Sequence, residues 1–571
     1  MRVILGLNAY GHDAAAVLLV DGRIAFAASE ERYDRVRHSA AFPAGAALAA
    51  FRAAGIAPKD VDVVAFPWTR GMGRLRKALH VAARFPRSLA FLREPPDTLL
   101  PNRTEYLRAM SRLSRDVRAL GIGAPIRRIP HHLAHAASAA LALPGATGAV
   151  LTADGMGEWT TAATWEVREG RPRRLASASY PHSPGKAYAA VTSWLGFRPE
   201  SDEGKTMGLA GYGDPAAPGA RFARGLLVPD ARRLLRVDTS KFGFPWGEAR
   251  LYGDAFLDVL GPARRADEPL RPGDADAARG IQDAVEAFAL DAAQRLLAKT
   301  GAKALGLAGG LFLNCAMNGR LARELSVPVL PFPVAGDAGA ALGAAALVHL
   351  DATGRSAEPL STLRVGHDIG DEEARLAVEP RGGMRLDPAA LSTEVARRIS
   401  KGALVGVARG RAELGPRALG GRSVLARADD PAARDRLNDQ KGRERWRPVA
   451  PVVREADVSR WFDPAFSSPW MILALRARNA ARAGPLSGAV HVDESARVQS
   501  VTRDGEPFLH ALLDALEPLG HAAVVNTSLN RRGEPIVNTA VEAVAAAEAM
   551  RLDTLVVGDW LWDLAPRDRR P

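Results

Sequence analysis

The sequence predicts an α/β protein of two domains, the first of them internally duplicated. Three observations lead there. Short apolar runs of strand length alternate with alanine-rich helical segments along the chain. The succession strand, glycine loop, strand, turn, strand occurs twice, from residue 2 and again from residue 148. A polar, aperiodic stretch, DATGRSAEPLSTLRV at 351–365, then separates these repeats from a further set of strands. The expected domains are 1–358 and 359–571.

Composition narrows the function classes. The chain has 571 residues, 47% hydrophobic and 25% charged, enough for two substantial cores. Cys315 is its one cysteine, which rules out an intrachain disulfide and fits a reducing compartment. No window approaches the roughly 20 apolar residues of a membrane span. The run at MRVILGLNAYG is too short for a signal peptide. A cytoplasmic protein without a membrane partner is expected. The net charge of +12 could point to nucleic acid, but the basic residues are scattered and only nine are lysine. No basic stripe is interleaved with aromatic residues, so no nucleic-acid partner is expected.

In order, RVILGL (2–7) reads as a buried strand, and NAYGHD (8–13) as a polar glycine loop. AAAVLLV, an Asp21-Gly22 turn and RIAFAASEERY read as a hairpin. A helix is expected after Pro43 and a strand at VDVVAF (61–66). PHHLAHAASAA (130–140) is a helix by its alanine content and leading proline, and it puts His131 and His135 on one face. Two imidazoles four residues apart on a helix can reach one ion, or can simply be polar residues at a helix start. The second repeat follows as GAVLTAD (148–154), a glycine loop GMGEWTT, and a hairpin from AATWEV and RPRRLASASY.

Paired units of this kind can clamp the phosphates of a nucleotide between backbone N–H groups and carboxylates. LGLAGGLFLNCAMN (305–318) adds a third glycine-bearing turn, where Gly309, Gly310 and Asn314 would let a nucleoside approach the backbone. PVAGDAGAALGAAAL (333–347) is a loop ending in Asp337, then a helix. SDEGKTMGLAGYGD (201–214) reads as a dense glycine loop whose Lys205 could reach a phosphate, or as an ordinary surface loop.

In the second domain ALVGVARG (403–410), HAAVVN (521–526) and TLVVGDW (554–560) read as strands. Between them Arg411, Arg417, Arg422, Lys441, Arg443 and Arg447 flank glycines and a Gly-Pro turn, with Glu413 and Glu444 as candidate anchors. Guanidinium forks beside glycine-exposed backbone suit a phosphate. VVNTSLNRRGEPIV (524–537) is a strand entering a polar turn with Asn526, Ser528, Asn530 and Glu534. Arg497 and Gln499 are expected on a neighbouring strand.

The doubled pattern resembles the actin, sugar-kinase and chaperone ATPase superfamily, built from duplicated ribonuclease-H-like halves. Within it, His-x-x-x-His resembles the branch that transfers threonylcarbamoyl groups in tRNA modification. The match EGK-x-MGLA-x-YG at 203–213 is similar to the O-carbamoyltransferases of nodulation-factor and antibiotic biosynthesis (NodU/CmcH type). GPRALG-x-RS, K-x-RE-x-[FW]RP-x-AP and NTS-x-N-x-x-GEPIV, at 415–423, 441–451 and 526–537, resemble the same family and a YrdC-like domain. Trp446 stands where phenylalanine is usual.

That resemblance implies a divalent metal, Fe(II) first and Mn(II) or Zn(II) as alternatives, held by His131, His135, Asp337 and a further carboxylate, Asp154. It implies ATP, with Mg(II) accompanying it, and carbamoyl phosphate. Arg417, Lys441, Arg447, Arg497, Asn526 and Ser528 would hold carbamoyl phosphate and the adenylate, with Arg417 and Lys441 assisting the chemistry. The expected activity is O-carbamoylation of a small natural-product hydroxyl through carbamoyl-adenylate. His12 is the candidate to take the hydroxyl proton, oriented by Asp13. Two other readings stay open: a tRNA threonylcarbamoyl-transfer enzyme, and an ATP-switched binding protein.

Overall fold

The structure is a computed structural model, describing residues 1–70, 74–92 and 103–564. The chain separates into two compact units. One comprises Met1–Glu30 and His38–Leu360; the other comprises Glu31–Arg37 and Ser361–Pro571. The short segment Glu31–Arg37 thus leaves the domain that its position in the chain suggests. Its EERY is not strand but begins a helical turn at Glu31–Asp34.

The first unit carries two five-stranded mixed sheets. In one, β1 (Val3–Asn8), β2 (Ala15–Val20), β3 (Arg23–Ser29), β4 (Val63–Phe66) and β5 (Ile126–Arg128) lie in the order β3-β2-β1-β4-β5. The β1–β2 and β2–β3 pairs are antiparallel, whereas β4 joins β1 and β5 joins β4 in parallel. In the other, β6 (Gly148–Gly157), β7 (Thr160–Arg168) and β8 (Arg171–Ser179) form the meander, and Leu305–Ala308 and Val329–Pro331 add in parallel. The two orders and senses are the same, so the repeat read from the sequence is a repeat of topology. Even the second turns agree. Asp21-Gly22 and Glu169-Gly170 both hold two consecutive positive φ angles, the geometry of a twisted two-residue hairpin.

One difference separates the halves. GMGEWTT is not a loop in the sense expected: β6 continues to Gly157 and β7 starts at Thr160, with the register slipping between Ala153 and Gly157. Asp154 lies within this irregular stretch, and a bulge redirects a side chain without ending the strand.

In each half the fifth strand leads to a helix, His131–Ala140 in the first and Asp337–Thr353 in the second. These two equivalent helices pack together through small residues. A Cβ at Gly343 would lie 1.9 Å from the Ala134 carbonyl oxygen, so only glycine permits this approach. Likewise a Cβ at Gly6 of β1 would lie 2.3 Å from the Ala341 oxygen. The alanine content that predicts helix also sets how closely the helices pack.

The second unit is built on an eight-stranded mixed sheet. Its order is Met384–Arg385, Trp560–Asp563, Thr554–Val557, Val405–Ala408, Arg422–Arg427, Val524–Ser528, Ala450–Arg454, Gln499–Val501. Helices Pro388–Ser400 and Pro507–Leu516 contribute Leu391, Val395 and Ile399, and Leu509, Leu512 and Leu516, to a core against Val405, Leu425, Val452 and Val524. Among the described residues no helix is long and apolar enough to cross a membrane.

Candidate metal and anion sites

The first candidate site lies where the two equivalent helices meet. His131 and His135 are buried, and their Nε2 atoms are 3.0 Å apart. Asp154 Oδ2 is 3.4 Å from the first and 3.3 Å from the second. Asp337 Oδ1, at the first residue of its helix, lies 3.4 and 3.6 Å from them. One ligand atom from each residue falls within 4.8 Å of all the others. Two imidazole nitrogens and two carboxylate oxygens converging at that spacing fit a first-row divalent ion. The electrostatics agree. Burial lowers the His131 pKa, but Asp337 and Asp154 outweigh it and raise it to about 10, so the centre draws positive charge. Both carboxyls are held below their usual range, because the two imidazoles outweigh their burial.

Glycine makes room for this centre. A Cβ at Gly157 would meet His131 Cδ2 at 2.3 Å and His132 Cδ2 at 2.8 Å. His132 points away, as its place on the helix requires: Nδ1 meets Thr152 Oγ1 at 2.9 Å and Nε2 the Thr160 carbonyl at 3.0 Å. Burial and the two neighbouring imidazoles push its pKa down to about 3, so it stays neutral.

The Asn8–Asp13 loop converges on the same region. His12 Nδ1 is 2.9 Å from Asp13 Oδ2, and Nε2 is 2.9 Å from the Glu200 carbonyl. Both ring nitrogens therefore face acceptors. Burial opposes the charged form, yet Asp13, Asp337 and Glu200 together raise the pKa to about 10 and hold the ring as imidazolium. His38, which the sequence reading passed over, places Nδ1 2.8 Å from the other Asp13 oxygen and stacks on His12 with centroids 4.6 Å apart. Glu200, also passed over, is paired with Lys186. Neither belongs to a recognised motif, and their partners are distant in the chain.

Of the expected nucleotide residues, Gly309 and Gly310 form the turn after Leu305–Ala308. Gly309 has φ +98°, and its Cβ would lie 2.2 Å from the Ala153 oxygen; that of Gly310 would lie 3.2 Å from Asp154 Oδ1. The third glycine turn therefore abuts the candidate metal site. Asn314 caps helix Cys315–Glu324 by accepting from Met317 N–H, and its amide pairs with that of Gln282. Its side chain is occupied inside the protein.

Lys205 departs from the loop reading. Glu203–Leu209 is a helix, with Glu203 in its first turn where an acid suits the helix dipole. The ammonium is buried 3.2 Å from Asp202 Oδ2 and 5.2 Å from the centroid of the Phe197 ring. Desolvation costs make such a charge stay with its partner.

The second candidate site lies in the other unit. Lys441 ends helix Pro431–Gln440, and its buried ammonium donates to the carbonyls of Ser528 and Asn530. It fixes the NTSLN turn from within. Ser528 Oγ donates to Asn530 Oδ1 at 2.6 Å. Arg443 Nη1 donates to Thr527 Oγ1 at 3.0 Å. Burial lowers the Arg443 pKa well below the usual range, and Arg447, Arg497 and Arg37 lower it further. Arg497 Nε is buried with no hydrogen-bond partner among the described residues. Neighbouring guanidinium groups with an unused donor make this a candidate anion site.

Other basic residues of these motifs are structural. Arg422 is fully buried and donates to the carbonyls of Arg409, Gly410, Gly421, His367 and Asn538. Arg411 donates to Val365 and Gly366. Among the described residues Glu413 makes no hydrogen bond to an arginine side chain; it accepts from the N–H groups of Leu419, Gly421 and Arg422 and shapes the Gly-Pro loop. Asn526 is buried and donates to Ala418 O and Gln499 Oε1, so it supports the sheet. Arg417 is half-buried on the turn between Gly410–Glu413 and Arg422–Arg427. Spacing alone cannot separate arginines that bind ligand from those that clamp carbonyls.

Comparison with known proteins matches both units. Residues 3–346 match the family described as carbamoyltransferase N-terminus, and residues 396–563 match carbamoyltransferase C-terminus. The chain is 32% identical to nodulation protein NolNO of Sinorhizobium fredii, over 97% of this chain and 79% of that protein. It is 30% identical to 3'-hydroxymethylcephem-O-carbamoyltransferase of Streptomyces clavuligerus, over 96% and 97%. Among solved structures it is similar to component A of the (R)-2-hydroxyglutaryl-CoA dehydratase of Acidaminococcus fermentans. That likeness has 13% identity and TM-score 0.34, over 62% of this chain and 99% of that one.

Proposed function

The chain belongs to the carbamoyltransferase family, and on that premise we propose that it carbamoylates a hydroxyl of a small natural product, a sugar or aminoglycoside for example. The donors are carbamoyl phosphate and ATP, and the intermediate is carbamoyl-adenylate. One observation carries the reading: two unlike sites on one chain, a guanidinium cluster in one unit and a His₂Asp₂ centre in the other. The first suits phosphate chemistry, and the second suits transfer from an adenylate.

In the second unit, which we read as YrdC-like, water releases phosphate from carbamoyl phosphate and leaves carbamate. A carbamate oxygen attacks the α-phosphorus of ATP, the bond to the β-phosphate breaks, and pyrophosphate leaves. Arg443, Arg447 and Arg497 offset the charge on the phosphoryl oxygens. Arg417 and the Ser528 turn, braced by Lys441, orient the ligands.

In the first unit, which we read as two ribonuclease-H-like halves, the acceptor oxygen attacks the carbamoyl carbon and AMP leaves. His131, His135, Asp154 and Asp337 would hold a divalent ion, with Fe(II) favoured by family resemblance; when bound, it supplies Lewis-acid polarisation. His12 takes the hydroxyl proton at Nε2 once that nitrogen has released its own to solvent, while Asp13 fixes Nδ1.

The test is pyrophosphate release from ATP with and without carbamoyl phosphate, followed by mass spectrometry of an acceptor panel. Release that depends on carbamoyl phosphate, and a carbamoyl mass increment on a hydroxyl compound, are expected. Release that needs threonine, bicarbonate and tRNA instead would sink the proposal.

A further inference from the structure

The chain leaves the first unit after Glu30 and returns to it at His38, and the seven residues between belong to the second unit. They read ERYDRVR, with Arg32, Arg35 and Arg37. Two of these arginines are anchors. Buried Arg32 donates to the carbonyls of Gly415, at 3.2 Å, and Val537, at 3.4 Å. Arg35 donates to those of Pro535, at 3.0 Å, and Ile536, at 2.9 Å, and lies 3.5 Å from Glu542. Gly415 opens the Gly-Pro-Arg417 turn, and 535–537 closes the polar run that begins with Asn526 and Ser528. The segment is therefore fastened to two of the unit's three phosphate-type motifs, those at 415–423 and 526–537. Arg37, two residues beyond the second anchor, is exposed.

We propose that Arg37 is a phosphate-binding residue of the second unit, joining Arg443, Arg447 and Arg497 around a phosphate group of ATP or carbamoyl phosphate. The proposal rests on reading that cluster as an anion site. Two further observations support it. Arg37 is one of the cations that depress the Arg443 pKa, behind burial, Arg447 and Arg497, so its charge reaches the cluster. Arg497 Nε holds an unused donor there. Like charges gathered this way repel one another until an anion enters. The proposal also explains why two guanidinium groups are committed to main-chain carbonyls within one short segment: they hold a third in place.

Titration calorimetry of the full chain with ATP, inorganic pyrophosphate and carbamoyl phosphate, one at a time, tests this. Arg37→Ala is expected to weaken at least one of them about tenfold, as losing a charge-assisted hydrogen bond does, and to flatten the salt dependence. The ligand affected identifies the phosphate group contacted. Arg37→Lys should recover part of the loss, and thermal melting should show both variants folded. Arg443→Ala serves as the control. If it weakens phosphate binding while Arg37→Ala leaves all three ligands and the salt slope unchanged, the Arg37 assignment is overturned and the anion site stands. If neither variant matters, the anion-site reading falls, and this inference falls with it.

Discussion

The indole ring of Trp68 lies against the His131 imidazole, centroids 4.0 Å apart, and its N–H donates to Asn8 Oδ1 at 3.0 Å. Asn8 in turn donates from Nδ2 to the carbonyls of His12, at 2.8 Å, and Asp13, at 3.1 Å. A single run of contacts therefore joins the candidate metal ligand to the loop carrying the candidate base. Trp68 sits two residues past β4, in the parallel part of the first sheet.

Removing that support should loosen the metal centre without removing a ligand. Trp68→Ala is expected to lower divalent-metal affinity roughly 10–100-fold, the range typical of outer-shell partners. Competition with a chromophoric chelator reads this directly. An unchanged affinity would reduce the stack to ordinary packing.

Gly157 tests the steric account. Its Cβ would lie 2.3 Å from His131 Cδ2, so Gly157→Ala must displace a ring that is fully buried. Overpacking of this kind costs about 1–3 kcal/mol. Urea unfolding should show that loss, and metal analysis should show a stoichiometry well below that of the parent. Full metal content would mean that the helix can shift at little cost.

The pH profile tests His12. With its pKa raised to about 10, the imidazole is protonated at neutral pH and must lose that proton before it can accept another. Carbamoyl transfer from pre-formed carbamoyl-adenylate should therefore rise about tenfold per pH unit between 6 and 9, levelling near 10. His12→Ala should abolish the slope together with most of the rate. A rate independent of pH over that interval would remove the base role and leave His12 as a charged hydrogen-bond donor.

The two half-reactions should separate by mutation. Arg497→Ala is expected to cut carbamoyl-phosphate-dependent pyrophosphate release about 10²-fold or more while leaving metal content alone, because its donor has no other use within the described residues. His131→Ala should do the reverse, keeping pyrophosphate release and losing transfer. If either variant affected both reactions equally, the assignment of one reaction to each unit would fail.

The chain's own pattern determined a good deal. Strand-length apolar runs, the Asp21-Gly22 turn and the alanine-rich helices follow from local chemistry, and they appear where expected. The duplication was readable because two halves that fold alike repeat the same short-range signals, and the sheets share one strand order. The His131–His135 pair was readable because four residues make about one helical turn.

Tertiary structure decided what depends on distant partners. That Asp154 and Asp337 reach the same point follows from the register shift in β6 and from two helices drawn together at Gly343, neither of which is a local property. Which arginines clamp main-chain carbonyls was likewise set by the fold. Arg411 and Arg422 carry the same charge as Arg443 and Arg497, but they donate to main-chain carbonyls, in the case of Arg422 from a fully buried side chain, and a buried carbonyl must be paired. The same requirement turned Lys441 inward, onto the carbonyls of Ser528 and Asn530, whereas Lys205 is held by the Asp202 carboxylate. Spacing in the chain proposes the residues, and the pairing of buried polar groups selects among them.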